Sequence, residues 1–267
     1  MGVYHVRAVR GSLALGLLGL LAGCGGSAAQ EGYSDDLTAY CEAELAYETA
    51  GEPDFDPATA SEEEIAAATM AFATMTLRPL LDEVSAAAPE DIAADVEVLS
   101  GALAEQEETG NGDAFSTPEA AQAVGTIHTF DLDNCGWSSN PVTAIDHGYE
   151  GVPATVDAGA ASFELTNATA AGELHEIALF RKAEGVTEPI DELLALLDEP
   201  GLPQLESVGL EYVDIAFAAP GATDYVVADL QPGAYAMVCF LPIGSADPAS
   251  TGPPHFTQGM FAEFTVP

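Results

Sequence analysis

The chain has 267 residues and carries 44 Asp and Glu against 5 Lys and Arg, for a formal net charge of −39. Its 48% hydrophobic content supplies material for real cores and argues against a wholly disordered acidic chain. With no basic patch to neutralise phosphates, the composition rules out most nucleic-acid readings and also charge-driven docking onto anionic lipid. At about 100–200 residues per domain, the length fits one large domain or two small ones.

The chain opens on a targeting signal. Arg7 and Arg10 form a basic start, and Leu13 to Leu21 is an apolar stretch broken only by small residues. It is too short for an ordinary membrane-spanning helix. It ends in Leu21-Ala22-Gly23-Cys24, which resembles the bacterial lipobox. The resemblance implies cleavage before Cys24 and lipidation of its sulfur. The protein would then be anchored to the cell membrane on the extracytoplasmic face. The alternative is a plain secretory signal that happens to contain a cysteine. Residues 1–23 therefore read as signal, and 24–33, rich in Gly, Ser and Ala, as a flexible tether.

Loss of residues 1–23 leaves Arg78, Arg181 and Lys182 as the basic side chains. The acids are dispersed along the chain and read as a solubilising surface, in keeping with high salt that screens self-repulsion. No Asp-x-Asp-x-Asp-Gly loop argues for calcium.

Four cysteines are present: Cys24, Cys41, Cys135 and Cys239. With Cys24 lipidated, three thiols remain in a compartment that permits disulfides, so one is left over. Cys41 and Cys135 bracket the helical half and are paired in this reading, leaving Cys239 free. A free thiol here is either a buried, inert core residue or a metal ligand.

Residues 34–137 read as an acidic helical domain, a bundle of antiparallel helices joined by short loops. Leu37, Cys41 and Leu45 recur every four residues. Ser61-Glu62-Glu63-Glu64 has the form of a capping box, and Ile65, Ala68, Phe72 and Met75 share the face that follows. Pro79 is expected to kink or end that helix. Pro89 fits the first position of the next, which carries Ile92, Val96, Leu99 and Leu103. A last helix starts near Ser116-Thr117-Pro118-Glu119 and carries Val124 and Ile127. The Met and aromatic residues on these faces read as core. His128 stands alone, and a lone histidine more often serves structure than ligation. No HExxH or Cys-x-x-Cys motif occurs.

A boundary is expected near Trp137-Ser138-Ser139-Asn140-Pro141. From 142 to 267 the texture changes to short apolar runs separated by Gly and Pro. Val142–Ile145, Ser162–Thr166, Leu174–Phe180, Thr223–Leu230, Ala234–Phe240 and Phe261–Val266 are the strand candidates. Together they suggest an antiparallel β-sandwich. Thr187 to Leu197 reads as an amphipathic helical insertion. The fold class is therefore α + β in two domains.

The C-terminal part contains His175, Cys239, His255 and Met260. Two imidazoles, one thiolate and a weak thioether form the ligand set of a blue-copper centre. The stretch Asp229 to Cys239, in which Pro232-Gly233 feeds a strand containing Tyr235, resembles the cupredoxins, the plastocyanin and azurin group. So does His255-Phe256-Thr257-Gln258-Gly259-Met260, and so does Asn167 followed by His175 at a strand end. The resemblance covers residues 142–267 and implies a cupredoxin-like Greek key. It further implies a single type 1 copper ion held by His175, Cys239, His255 and Met260.

Two features depart from that family. Fifteen residues separate Cys239 from His255, where the family has only a few. Glu176 follows His175 where many members have Asn, which puts the hydrogen-bond support of the ligands in question. The opposing reading is a metal-free sandwich in which Cys239 and Met260 are core. His147 precedes a glycine and has no partner by spacing.

No Gly-x-Ser-x-Gly, P-loop or Rossmann glycine pattern points to an enzyme. The carboxylates permit a paired-acid hydrolase, but no pair stands out. The leading expectation is a one-electron carrier rather than an enzyme, working with a redox protein partner. Copper storage or delivery, and a metal-free surface interaction module, are the alternatives.

Overall fold

The computed structural model describes residues 35–55, 59–197, 202–247 and 250–267. The signal, Cys24, the tether and Pro248 lie outside the described residues. The chain divides at Cys135/Gly136 into two compact units.

The first unit is helical: α1 (Asp35–Glu48), α2 (Glu62–Phe72), α3 (Arg78–Ala87), α4 (Ala93–Thr109) and α5 (Pro118–Asn134). Ser61 and Glu64 close the capping box that starts α2, each satisfying the other's free backbone N–H. Pro79 does not end the helical run. Residues 73–77 widen into a π turn in which the Arg78 N–H reaches back to Ala73 O, and Pro79 falls in the first turn of α3, where no N–H is needed.

That extra residue per turn also shifts the helical phase by about 100°. Met75 is thereby carried out of the stripe begun by Ile65, Ala68 and Phe72, and stands 77% exposed rather than in the core. Pro89 opens a turn, with its carbonyl accepting from Ile92 and Ala93, so α4 begins only at Ala93. The periodic face is unaffected: Ile92, Val96, Leu99 and Leu103 are all buried.

A disulfide joins Cys41 to Cys135 across a separation of 94 residues. Beside it, the buried Tyr40 hydroxyl donates to Asp131 Oδ1 at 2.8 Å. Arg78 clamps α4 by donating to both carboxylate oxygens of Glu107 at 3.2 and 3.0 Å, and to Ser100.

The second unit holds β1 (Ser138–Ile145), β2 (Gly148–Glu150), β3 (Gly159–Asn167), β4 (His175–Lys182), α6 (Ile190–Leu194), α7 (Leu202–Ser207), β5 (Leu210–Ala218), β6 (Thr223–Leu230), β7 (Gly233–Val238) and β8 (Phe261–Val266). The strands form two four-stranded sheets, β2-β1-β3-β6 and β5-β4-β7-β8. The expected all-antiparallel arrangement has one exception, because β1 runs parallel to β3 from Ser138↔Ala161 to Ala144↔Asn167. Residues 138–141 therefore belong to β1 and are not a linker. Pro141 is tolerated there because β2 pairs only with 143–145, leaving one side of Pro141 without a hydrogen-bonded strand.

The inner faces share one core that includes Phe163, Ile177, Leu179, Met237, Cys239, Met260 and Phe264. The helical insertion expected over Thr187–Leu197 is α6, and a second short helix, α7, follows it. They pack Ile190, Leu193, Leu194 and Leu205 onto the outer face of the second sheet, over Phe180, Ala236 and Val238. With both faces covered, β4 is buried almost throughout, which is why it reads as a continuous apolar run. β5 carries no strand signal because Asp214 interrupts it. The structure buries that aspartate, whose Oδ2 accepts from Val227 N–H of the facing sheet at 3.3 Å.

Removing the disulfide frees a long loop in the unfolded chain. A Cys41→Ala/Cys135→Ala chain is expected to lose about 4 kcal/mol of stability in the chain-entropy picture, read as a lower denaturant midpoint of the far-UV helical signal. A second expectation concerns pH. Burial pushes the Asp131 carboxyl up to about 7, and burial with Glu48 and Asp131 nearby raises Glu44 well above the ordinary range. A raised folded value means the folded state binds the proton more tightly than the unfolded chain, where an aspartate titrates near about 3.9. Stability from this group is thus present at low pH and falls as pH rises from about 4 to about 7. Asp131→Asn, which keeps an acceptor for Tyr40, should raise the thermal midpoint of the full chain more at pH 8 than at pH 5.

Candidate metal centre

One end of the second unit gathers the chemistry. In the β4–β7 register, Ala178 pairs with Val238, the last residue of β7, so β4 begins three residues beyond the ladder, at His175. His175 opens β4 on the same inner face as Ile177 and Leu179. Cys239 follows β7 on the same inner face as Met237. Cys239 N–H donates to Met260 O at 3.1 Å, and Phe256 N–H donates to Cys239 O at 2.9 Å, tying the residues before β8 to the end of β7.

The long connection from Cys239 to His255 follows a definite path over its described residues, 240–247 and 250–254. It leaves and returns as a narrow two-stranded arm, with Ile243 N–H donating to Pro253 O and His255 N–H to Leu241 O, both at 2.9 Å. Pro242 and Pro254 face each other between these rungs. Ser245 Oγ pins the arm to the start of β4, accepting from Leu174 N–H at 3.0 Å and lying 3.1 Å from Leu174 O. The length of the loop therefore does not displace His255. It is delivered back to Cys239, with Nδ1 3.3 Å from Sγ.

The donor atoms of His175, Cys239 and His255 lie within 4.8 Å of one another, and all three residues are buried. The His175 and His255 rings are 4.8 Å apart. Neither ring nitrogen of His175 has a hydrogen-bond partner. A fully buried imidazole with both nitrogens unsatisfied is costly in a metal-free protein, and a bound ion would relieve that cost.

Electrostatics agree. Burial, with the neighbouring His255, lowers His175 to about 4, and burial lowers His255. Both rings are therefore neutral near pH 7, with lone pairs available. Burial pushes the Cys239 thiol far up, against backbone N–H groups of Glu176 and Leu241 that favour its thiolate. An isolated thiol there stays protonated, while a cation beside it reverses that balance. A soft thiolate with two imidazoles suits copper or zinc. Met260 is fully buried in the same core as Cys239.

Glu176 does not leave the site unsupported. Where the β4–β7 ladder stops, its Oε1 accepts from Phe240 N–H at 2.6 Å. The carboxylate thus replaces the missing rung and holds the residue after Cys239. Burial raises this carboxyl to about 7. The Tyr149 hydroxyl donates to the Glu176 carbonyl, and Asn167 Nδ2 donates to the carbonyls of Glu173 and Ala218, each at 2.8 Å, fixing the lead into β4.

Two residues near the centre have weak sequence signals. His147, in the exposed turn between β1 and β2, lies against His255 with ring centroids 5.6 Å apart. Glu173 is buried, and its Oε2 lies 3.3 Å from His255 Nε2. The signal for Glu173 is its position two residues before His175, on the same side of an extended chain. His128 lies in α5 of the helical unit, outside this cluster.

No family model matches the chain, and no curated protein matches it. Among solved structures, it is similar to a dithionite-reduced auracyanin from Roseiflexus castenholzii at 18% identity and a TM-score of 0.30, over 49% of this chain and 97% of that one. It is similar to auracyanin A, a "blue" copper protein from Chloroflexus aurantiacus, at 16% identity and a TM-score of 0.30, over 49% and 100% of the two chains. A multicopper oxidase is similar at 12% identity and a TM-score of 0.27, over 49% of this chain and 44% of that one.

Glu176→Ala strands the Phe240 N–H and should cost about 1–3 kcal/mol. Glu176→Gln, which retains an acceptor oxygen, should cost less. Thermal unfolding of the two variants reads the difference, and equal losses would deny the carboxylate its bridging role.

Proposed function

We propose that the second unit holds one copper ion between His175, Cys239 and His255, with Met260 as a weak fourth contact, and that the protein is a one-electron carrier rather than an enzyme. The observation that carries this reading is the buried convergence of three donor residues, two of whose rings have nitrogens without hydrogen-bond partners. Copper bound there would supply reversible one-electron chemistry. The chain's own part is to keep both rings neutral, to hold Cys239 between the β7 end and the Glu176 carboxylate, and to exclude water. A site so braced changes little in shape between two charge states of its ion, which favours fast electron exchange. The lipobox-like run ending in Cys24 supports attachment to the extracytoplasmic face of the cell membrane, where a redox protein partner would meet it.

Copper storage or delivery is the second reading. It is favoured by the burial of all three donor residues, since no ligand edge lies open to a partner.

Purified protein given Cu(II) should develop a strong visible absorption from charge transfer between the Cys239 thiolate and copper. Cys239→Ser should abolish it, and His175→Ala should weaken binding. Met260→Leu should keep the colour and raise the reduction potential, because a donor that stabilises the oxidised ion is lost. Tight Cu(I) binding with no coloured oxidised form favours storage. No copper binding at all leaves a metal-free module. For the anchor, Cys24→Ser should move the protein from the membrane fraction to the soluble one.

A further inference from the structure

The His255 ring faces two ways. Its Nδ1 points at Cys239, while its Nε2 points away, toward Glu173 Oε2 at 3.3 Å. That Nε2 is fully buried, and its contact with Glu173 Oε2 lacks good hydrogen-bond geometry. His147 completes a second group, because the donor atoms of His147, Glu173 and His255 also lie within 4.8 Å of one another. His147 is exposed, while the other two are buried.

We propose that His147, Glu173 and the Nε2 side of His255 form an outer site for a divalent ion of zinc type, separate from the inner His175/Cys239/His255 group. Two imidazoles and one carboxylate are a familiar zinc set, which leaves a fourth position for water. A tetrahedral ion with bonds of about 2.0–2.2 Å spaces its ligand atoms about 3.3–3.6 Å apart. The Glu173–His255 separation already has that value. The inner set contains a thiolate and suits a softer ion. The outer set contains none and suits a harder one.

The outer group is also braced. Gly244 N–H, on the arm, donates to Glu173 Oε1, which leaves Oε2 for the ion. Asp146 Oδ1 accepts from Thr169 Oγ1 at 2.8 Å and from Ala170 N–H at 3.0 Å, so the turn carrying His147 is tied to the segment leading to Glu173. Such outer contacts fix the orientation of ligands. In such a site both rings bind as neutral imidazoles, with the His255 proton on Nδ1, and Glu173 binds as a carboxylate.

The shared ring sets a rule between the sites. An ion at Nε2 leaves the Nδ1 proton in place, whereas an inner ion takes Nδ1 itself. The outer site therefore belongs to the protein whose inner site is unloaded.

The test is equilibrium dialysis of the full chain against Zn(II) in salt sufficient to screen the surface acids. The background is Cys239→Ala, which removes the inner thiolate. That chain should hold about one zinc, and adding His147→Ala should weaken its affinity at least tenfold. Glu173→Gln should do the same. His147 is exposed, so its loss does not threaten the fold. Zinc affinity that ignores His147→Ala overturns the proposal and assigns the binding to His175 with His255 or to surface carboxylates. The copper reading is judged separately, by the colour of the wild-type chain with Cu(II), which His147→Ala should leave intact. A colourless wild type together with a His147-dependent zinc site removes the copper reading alone. A coloured wild type with no effect of His147 removes the outer site alone.

Discussion

The pairing of β4 with β7 fixes everything that the second unit can do. Once Ala178 faces Val238, His175 and Cys239 are committed to the same end and the same inner face, and neither can slip by one residue without turning its side chain to the other side of the sheet. What holds the register is burial. The inner core on one face and the short helices on the other leave no exposed side on which an alternative could be accommodated. The centre therefore inherits its rigidity from apolar packing, and the polar groups at its rim only finish what the ladder begins.

Those polar groups act where the ladder runs out. Glu176 takes over the amide of Phe240, Asn167 gathers the carbonyls of Glu173 and Ala218, and Ser245 holds the arm to Leu174. Each contact satisfies a backbone group that the ending strands would leave bare. The two histidines are the exception. Their unsatisfied nitrogens concentrate the energetic deficit of the region at one point. In a chain this acidic, local attraction for a cation adds to that deficit, since the field of the surface carboxylates favours positive charge.

Much of this was legible in residues. The strand ends carrying His175 and Cys239 were legible through the resemblance of Asn167–His175 and Pro232-Gly233–Cys239 to cupredoxin segments, and the free thiol follows from parity among the cysteines. Other features had no local signature. Met75 fits its helical stripe by spacing and leaves it only because a π turn intervenes. β5 was obscured by Asp214, whose acceptor role depends on a strand of the opposite sheet. The arm from Leu241 to Pro254 is held mostly by main-chain rungs, with Ser245 as its side-chain anchor, so its path has little code in the sequence. Glu173 was visible only as a neighbour of His175, and His147 gains a context only when β1 and β2 turn over the end of the sheet.

The closed base of that arm separates two properties that loops usually couple. The rungs from Leu241 and Ile243 to His255 and Pro253 fix the position of the histidine, Gly244 and Ser245 just beyond them tie the arm to Glu173 and Leu174, and the tip follows Ser245. Residues can be added to or removed from the tip at the small entropic cost of a longer closed loop, and the histidine stays where it is. The spacing between Cys239 and His255 is then free to drift while the chemistry is retained, so a ligand pattern defined by fixed intervals is blind to chains built in this way.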